Sequence, residues 1–258
     1  MPERSRLDRV LVARGLAPSR ARAAALIRAG VVCVNGQIAT RPSAAVSVAG
    51  EVEEGGAFGV VAADAVTLVG NPCPWVSRAA LKLLHALDRF GLTPHGLALD
   101  IGASTGGFSE VLLARGAAHV HAVDVGRGQL HKSLADDPRI TLHEGLNIRR
   151  LPKGLIPPVD WLTCDVSFLG LEKALPPALA LAKPKAMLVA LIKPQFEVGP
   201  AGVGKGGIVP PGPLHAQVQA RIAAFLDGAG WAVAGLAESP IAGGDGNREY
   251  LIAAQARA

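Results

Sequence analysis

Cysteine, aromatic residues and long apolar runs are scarce in this chain of 258 residues, and each scarcity excludes a class of protein. The three cysteines lie far apart without a C-x-x-C pair, which excludes a disulfide scaffold and predicts ordinary buried thiols in a reducing cytoplasm. Aromatic residues make up 4%, which leaves little material for RNA binding through aromatic stacking platforms. The longest run without charge, residues 206–220, contains three prolines and is shorter than the ~20 apolar residues of a membrane span. No apolar stretch follows the first charged residues, so we expect no signal peptide and a cytoplasmic protein.

Positive charge is concentrated in the first fifth of the chain. The net charge is +5, but the first 50 residues hold eight arginines against Glu3 and Asp8, while the remainder holds 18 basic and 19 acidic side chains. A small, basic, separate module is typical of proteins that bind polyanions, and a solvated charged face is the alternative. We therefore expect this module to contact phosphates.

Local patterns in this module predict two short helices and a hairpin. Residues 6–16 carry apolar side chains at helical spacing and end near Gly15. Ser19 is placed to cap a second helix that ends at Gly30. Asn35-Gly36 between two β-branched runs is a strong hairpin signal.

Arginines in the first turn of the second helix, Arg20 and Arg22, oppose the helix dipole, a conflict that a bound phosphate would relieve. Full exposure of both side chains is the alternative. The segment RLDRVLVARGLAPSRARAAALIRAGVVCVNG resembles the αL RNA-binding domain of pseudouridine synthases and tyrosyl-tRNA synthetases. The candidate RNA-binding residues are Arg4, Arg6, Arg14, Arg20, Arg22 and Arg28.

From residue 96 onward, apolar strand-like runs alternate with helical stretches. This alternation predicts an α/β fold with a mostly parallel, doubly wound sheet of seven strands. The predicted strands lie in 96–102, 119–126, 140–145, 160–166, 186–192, 231–239 and 249–256. Residues rich in Gly and Ala precede this region, so we predict a small α+β domain at 1–60, a linker at 61–75 and an α/β domain at 76–258.

A glycine-rich turn follows the first of these strands, which ends at Asp100. Glycines let a backbone approach a ligand closely, and open α/β sheets bind ligands at the carboxyl ends of their strands. The turn has neither the G-x-G-x-x-G spacing nor the G-K-[ST] of a nucleoside-triphosphate loop. Asp124 ends the second strand, where a carboxylate can bind a ribose diol.

This D-x-G-x-x-x-G-G pattern with a second-strand aspartate resembles the S-adenosylmethionine site of class I methyltransferases, and the resemblance implies a Rossmann-like fold and that cofactor. Asn147 matches the position of an adenine contact in the family, and a loop cap is its alternative role. The candidate cofactor-binding residues are Asp100, Gly102, Ala103, Ser104, Gly106, Gly107, Phe108, Asp124, Val125 and Asn147.

Four dispersed charged residues form a second pattern. Asp165 and Lys193 end the fourth and fifth strands and should face one cleft, whereas Lys82 precedes the first strand and Glu249 lies at the start of the last. Each taken singly could be a surface charge, a helix cap or a strand terminator. Together they resemble the Lys-Asp-Lys-Glu tetrad of FtsJ-like ribose 2′-O-methyltransferases.

The tetrad resemblance implies a role for each of the four residues. Lys193 would be the base, since burial and positive neighbours favour the neutral amine of a lysine. Asp165 would orient Lys193 or lie near the methyl sulfonium. Lys82 and Glu249 would position the nucleotide and tune Lys193.

In this order of domains and motifs, the whole chain resembles the TlyA family of haemolysin-named ribosomal RNA methyltransferases. VGKGGIV at 203–209 and SPIAGGDGNREYL at 239–251 extend the resemblance, whereas Ala79 stands where the family usually has glycine and PPGPLH after Val209 looks altered. The resemblance implies 2′-O-methylation of a cytidine, with ribosomal RNA or ribosomal subunits as partners. The seven histidines are scattered without metal-ligand spacing, so we expect no metal.

Two alternatives compete with this interpretation. A membrane-active haemolysin is suggested by the family's name, but the sequence lacks a spanning segment and a long amphipathic basic helix. An RNA-binding ribosome-assembly factor with a silent methyltransferase fold is opposed by the intact tetrad. The sequence leaves the oligomeric state and the modified nucleotide open.

Overall fold

A computed structural model describes residues 4–17, 19–28, 30–48, 50–54, 57–61, 64–68, 74–243 and 245–257. The chain divides into two compact units, Met1–Pro74 and Trp75–Ala258. Cys73 and much of the predicted linker, 62–63 and 69–73, lie outside the described residues.

The first unit contains the two helices and the hairpin that the sequence predicts. Its elements are β1 (Arg4–Arg6), α1 (Leu7–Ala13), α2 (Arg20–Arg28), β2 (Val32–Val34), β3 (Gln37–Ile38), β4 (Ala45–Ser47), β5 (Gly50–Glu54), β6 (Ala57–Val61) and β7 (Val66–Leu68). Ser19 Oγ accepts a hydrogen bond from Arg22 N at 3.2 Å, which confirms the predicted cap of α2. Asn35 and Gly36 have φ of 52° and 79°, as the turn between β2 and β3 requires.

One strand of the first unit lies inside the range predicted as a linker. β7 pairs antiparallel with β2, so residues 66–68 belong to the sheet of the first unit. The sequence does not indicate this strand, because it is only three residues long and its surroundings are rich in glycine and alanine. The core of this unit joins both helices to the strands through Leu7, Leu11, Ile27, Val32 and Val66.

The second unit alternates strands and helices, as predicted. Its elements are α3 (Ala80–Phe90), β8 (Leu97–Ile101), α4 (Gly107–Ala114), β9 (His119–Asp124), α5 (Lys132–Ala135), β10 (Ile140–Glu144), β11 (Val159–Cys164), α6 (Leu171–Ala174), α7 (Pro176–Leu179), β12 (Ala182–Ile192), α8 (Pro194–Glu197), α9 (Pro213–Gly228), β13 (Trp231–Glu238) and β14 (Tyr250–Ala256). Seven strands of the described part form one sheet in the order β10-β9-β8-β11-β12-β14-β13. All of its neighbouring pairs are parallel except those of β14, which runs antiparallel to β12 and β13.

The sheet is buried on both faces, because helices cover each of them. Successive side chains of a strand point to opposite sides and so enter two different core clusters. Leu99 and Leu162 belong to one core cluster, together with residues of α9. Ala98 and Trp161 belong to the other, which is packed against α3 and α4. Strands β8, β9 and β11 run parallel, so their carboxyl ends meet at one edge, where polar loops follow each strand.

Buried thiols are confirmed at Cys33 and Cys164. Burial raises the pKa of the Cys164 thiol well above its usual range. This cysteine therefore behaves as a small core residue rather than a nucleophile.

Candidate active site

The loop between β8 and α4 depends on glycine for its close approach to a neighbouring strand. Gly102 has φ of +83°, and a Cβ added there would lie 2.5 Å from the carbonyl oxygen of Asp165. Gly106 caps α4 with φ of +96°. A side chain at position 102 would push the loop away from the end of β11. Glycine at this position therefore lets the loop pack directly against the strand end at the base of the site.

Three adjoining cavities open around this loop and the strand ends. The Asp124 cavity, about 570 Å³, is lined by Gly102, Ser104, Asp124, Val125, Asn147 and Asp165 among others. The Gly107 cavity, about 270 Å³, is lined by Ala79, Ala103, Gly107, Phe108, Asp165 and Lys193 among others. The Glu249 cavity, about 510 Å³, is lined by Lys82, Lys193, Gln195, Asp245 and Glu249 among others. Ser167 lines all three, so they form one continuous region at the edge of the sheet.

Asp124 holds the loop after β8 in place. Its Oδ2 accepts a hydrogen bond from Ser104 N at 2.8 Å, and its Oδ1 accepts one from Gly126 N at 2.7 Å. Each carboxylate oxygen retains capacity for a second hydrogen bond. The two amides thus fix the orientation of a carboxylate that can still accept from ligand hydroxyls in the Asp124 cavity.

Asp100 is buried beneath the site and stabilises the elements that form it. It is completely buried, and its oxygens accept hydrogen bonds from Ser109 Oγ at 2.7 Å and Thr163 Oγ1 at 2.9 Å. Among the described residues, neither Asp100 nor Gly106 lines any of the three cavities, unlike the other predicted cofactor residues. Ser109 belongs to α4 and Thr163 to β11, so Asp100 joins these two elements through its hydrogen bonds.

Burial raises the pKa of Asp100 to about 6, against the two hydroxyl hydrogen bonds, which lower it. Between its ordinary pKa of 3.8 and this value, the folded state holds the proton more tightly, so Asp100 lowers stability as the pH rises through that window. Asn at this position is neutral at every pH. We therefore expect the free energy of unfolding of Asp100→Asn, relative to that of the native chain, to rise by up to about 3 kcal/mol as the pH goes from 3.8 to 7.5.

Urea unfolding of both proteins across this pH range checks the expectation, and the difference between them removes the effects of other titrating groups. Exposed Asp88→Asn is the matched control and should show no such trend. A pH-independent difference for Asp100→Asn would contradict the assignment.

The four tetrad residues form two ion pairs, one buried and one largely buried. Lys193 Nζ lies 2.6 Å from Asp165 Oδ1, and Lys82 Nζ lies 2.6 Å from Glu249 Oε2. Lys82 and Lys193 are each only 8% exposed. Buried charges require partners, so each lysine is held in place by its carboxylate at the wall of a cavity.

Local backbone structure explains how two of these residues reach the site. Lys82 projects from the first turn of α3, whose N-cap Ala79 has ordinary helical angles (φ −56°, ψ −34°). Alanine in place of the family's usual glycine therefore causes no strain there. Lys193 follows the last residue of β12 directly, and its Nζ also donates to Ser167 Oγ at 3.1 Å.

Sequence reasoning missed Ser167 and two aromatic residues at the mouth of the cavities. Phe168 is 89% exposed with a φ of +63°, a strained angle for a bulky side chain, and its ring lies 5.1 Å from that of Phe196. It lines both the Asp124 and the Glu249 cavities. Its position four residues past the end of β11, a central parallel strand, was the available signal.

Asn147 acts as a loop cap, since its Oδ1 accepts a hydrogen bond from Arg149 N at 3.0 Å. It also lines the Asp124 cavity. Both roles considered from the sequence are therefore compatible with its position.

All six predicted RNA-binding arginines are exposed, but some have partners within the first unit. Arg6 and Arg20 both donate to Asp8, whose pKa is lowered to about 2, chiefly by the hydrogen bond from Arg6. Arg14 donates to the carbonyl oxygen of Asp64 at 3.1 Å.

His119 and His121 share a face of β9, and His121 Nδ1 shares a hydrogen bond with His143 Nε2 at 3.0 Å. Burial lowers the pKa of His121 to about 4. Nowhere in the described part of the chain do three or more His, Cys, Asp or Glu side chains form a group that could hold a metal ion. The same residues include no helix with the length and apolar character that a bilayer crossing requires.

Family models match both units. A model of the S4 domain matches residues 5–52, and a model of the FtsJ-like methyltransferase matches residues 75–256. These matches fall on the basic unit and on the unit that carries the two ion pairs.

Individual relatives match nearly the whole chain. The 16S/23S rRNA (cytidine-2′-O)-methyltransferase TlyA of Mycobacterium tuberculosis is 44% identical over 255 residues, covering 98% of this chain and 90% of the relative. Hemolysin A of Brachyspira hyodysenteriae is 36% identical over 251 residues, covering 95% and 98%. A solved structure of a haemolysin-named protein from Streptococcus thermophilus has a TM-score of 0.73 at 35% identity, covering 100% and 90%. The chain therefore belongs to the TlyA family, in which an S4 domain precedes an FtsJ-like methyltransferase domain.

Proposed function

We propose that this protein transfers a methyl group from S-adenosylmethionine to the 2′-hydroxyl of a cytidine in ribosomal RNA. The observation that carries the proposal is the pair of buried lysine–carboxylate contacts beside a glycine-closed cavity. The name of the mycobacterial relative supports the substrate, and the match to the S4 domain supports an RNA partner.

The Asp124 cavity fits the nucleoside half of the cofactor. Asp124 offers a charged acceptor for two ribose hydroxyls, and Leu146, Ile148 and Leu169 supply apolar surface for a base. Asp165 stands where this cavity meets the Gly107 cavity, so a cationic centre between them would face a carboxylate. S-adenosylmethionine would supply the methyl group from its sulfonium sulfur, and the C–S bond breaks readily because a neutral thioether, S-adenosylhomocysteine, is the leaving group.

Lys193 is the residue that we assign to proton removal. It lines both the Gly107 and the Glu249 cavities, so its Nζ lies between the cofactor side and the RNA side of the site. Asp165 orients Lys193 through their 2.6 Å contact, and Ser167 fixes the Nζ from a second direction.

Lys82 and Glu249 are positioning residues on the RNA side. Their contact neutralises both charges, while the Glu249 cavity leaves room for a nucleotide beside them. Phe168 and Phe196 offer aromatic surface at the mouth of that cavity, and base stacking on one aromatic side chain is worth ~1–3 kcal/mol. A target nucleotide turned out of its RNA would thus place its base on these rings and its ribose near Lys193.

The first unit supplies affinity for the RNA backbone. Its exposed arginines are suited to phosphates, which carry charge but no sequence information. We propose ribosomal RNA within ribosomal subunits as the partner and the cytoplasm as the place of action.

Asp124→Ala is expected to weaken S-adenosylmethionine binding, because the ribose hydroxyls lose a charged acceptor worth ~1.5–3 kcal/mol for each hydrogen bond. Calorimetric titration measures the affinity, with exposed Asp136→Ala on the same unit as the control. Unchanged affinity in Asp124→Ala would remove this residue from the cofactor site.

Mass mapping of ribosomal RNA tests the proposed function. Unmodified ribosomal subunits are incubated with the protein and S-adenosylmethionine, and ribose methylation is located by fragment mass. A gain of one methyl group on a cytidine ribose is the expected result. Binding to the subunits without methylation would instead favour the assembly factor, and lysis of vesicles without RNA modification would favour the haemolysin.

A further inference from the structure

The Glu249 cavity has a polar wall that the tetrad does not explain. It is formed by Gln195 of α8 and by Asp245, which lies in the turn before β14. Gln195 Nε2 donates to Asp245 Oδ2 at 3.4 Å, and Asn247 donates to both carboxylate oxygens, from its Nδ2 at 2.9 Å and its backbone N at 3.1 Å. The orientation of the Asp245 carboxylate is therefore fixed before any ligand arrives.

This wall presents hydrogen-bond acceptors. Partial burial alone would raise the pKa of Asp245, but the hydrogen bonds from the Asn247 backbone and side chain bring it below its usual value. Asp245 is therefore ionised and accepts only. Gln195 Oε1 is buried, and within the described residues it has no hydrogen-bond partner.

Asp245 is distinct from the tetrad carboxylate nearby. A Cβ added to Gly243 would lie 2.7 Å from Glu249 Oε1 and 2.9 Å from Asp245 Oδ1, so the two carboxylates flank the same small residue. Glu249 is neutralised by Lys82, whereas the groups that donate hydrogen bonds to Asp245, within the described residues, are the uncharged amides of Gln195 and Asn247. In the described part of the chain, Asp245 therefore forms no ion pair, and its negative charge lies beside the space that receives the nucleotide.

The chemistry of this wall selects among bases that stack at the mouth of the cavity. Phe168 and Phe196 would hold the plane of a base, and the polar wall would then meet its edge. Cytosine presents the amino group N4, a donor that carboxylates accept from, whereas uracil presents the acceptor O4 at the same position. An ionised carboxylate attracts the first and repels the second.

We propose that Asp245, assisted by Gln195, reads the exocyclic amino group of the target base and so selects cytidine over uridine. The proposal rests on the ribose methyltransferase function and assigns its base specificity to this wall. Asp245 is a specificity-determining residue here, and proton removal stays with Lys193.

The test compares two substrates that differ at one base. Once the modified cytidine is mapped, ribosomal subunits are prepared with that position as cytidine or as uridine, and single-turnover rates are measured at saturating S-adenosylmethionine. We expect the native protein to favour cytidine by about 5- to 150-fold. Asp245→Asn, whose amide can donate to O4, should bring the ratio of the two rates close to one.

The ratio of rates does not depend on the fraction of active protein, so a partly misfolded variant still gives a valid result. Asp245→Ser, without charge, provides a second variant and should also lose the discrimination against uridine. Asp88→Asn removes an exposed carboxylate from the same unit and should keep the native ratio.

A native ratio in both Asp245 variants would overturn the proposal, as would equal rates on both substrates for the native protein. In those cases methylation of the cytidine would still stand, so the proposed function would survive. Absence of any cytidine methylation by the native protein would remove the proposed function, and the selectivity with it.

Discussion

Lys193→Ala is expected to slow methyl transfer by ~10²–10⁴ while leaving the affinity for S-adenosylmethionine near its native value, because general-base catalysis contributes about that factor. The side chain lines the Gly107 and Glu249 cavities and not the Asp124 cavity, which we assign to the nucleoside half of the cofactor. Single-turnover rates on unmodified subunits, together with calorimetric titration of the cofactor, separate the two effects.

Lys193→Arg distinguishes a base from a fixed positive charge. Arginine keeps its proton at all accessible pH values, so the variant should also fail if Lys193 removes the hydroxyl proton. Lys183→Ala is the matched control, since Lys183 lies on β12, the strand that Lys193 directly follows, and also pairs with a carboxylate, Asp160, at 2.8 Å. An active Lys193→Arg would show that the residue acts as an electrostatic clamp.

Removal of residues 1–74 is expected to abolish most affinity for ribosomal RNA and to leave S-adenosylmethionine binding intact. The second unit has its own core on both faces of its sheet and contains every residue that we place at the cofactor. The basic surplus lies in the first 50 residues. Each phosphate contact that is lost should reduce the slope of log K against log salt by ~0.7–0.9.

Arg20→Ala combined with Arg22→Ala should reproduce part of this flattening in the full chain. Arg89→Ala with Arg139→Ala removes the same charge from the second unit and serves as the control. RNA binding measured across a salt series gives the slopes. Equal slopes for the full and the shortened chain would show that the basic unit is not the RNA anchor.

The strands of the large sheet could be predicted from the sequence because they are buried on both faces. Parallel strands covered on both faces read as continuous apolar runs, and AMLVALI and DWLTCDV are of this kind. The sequence predicts a linker where β7 lies, because a strand of three residues at 66–68 carries too little pattern to stand out from its surroundings. Its pairing with β2 depends on residues more than thirty positions away.

The site was predictable where its residues follow strand ends. Asp165 and Lys193 directly follow parallel strands, and such positions converge at one edge of a sheet. The contact between Lys82 and Glu249 joins residues 167 positions apart, and only the family resemblance placed them together. The sequence does not single out Asp245, because its place in the cavity wall depends on the orientation of the turn before β14, which residue spacing does not reveal.

The position of β14 has a consequence for how the protein becomes active during synthesis. This strand comes after β13 in the chain but is inserted between β12 and β13, so both remain unpaired on that side until it has been made. Until then Lys82 also lacks the carboxylate that compensates its burial. Under the proposed function, a growing chain that already displays its basic N-terminal unit would meet RNA before it can modify it, and methylation would begin only when β14 completes the sheet.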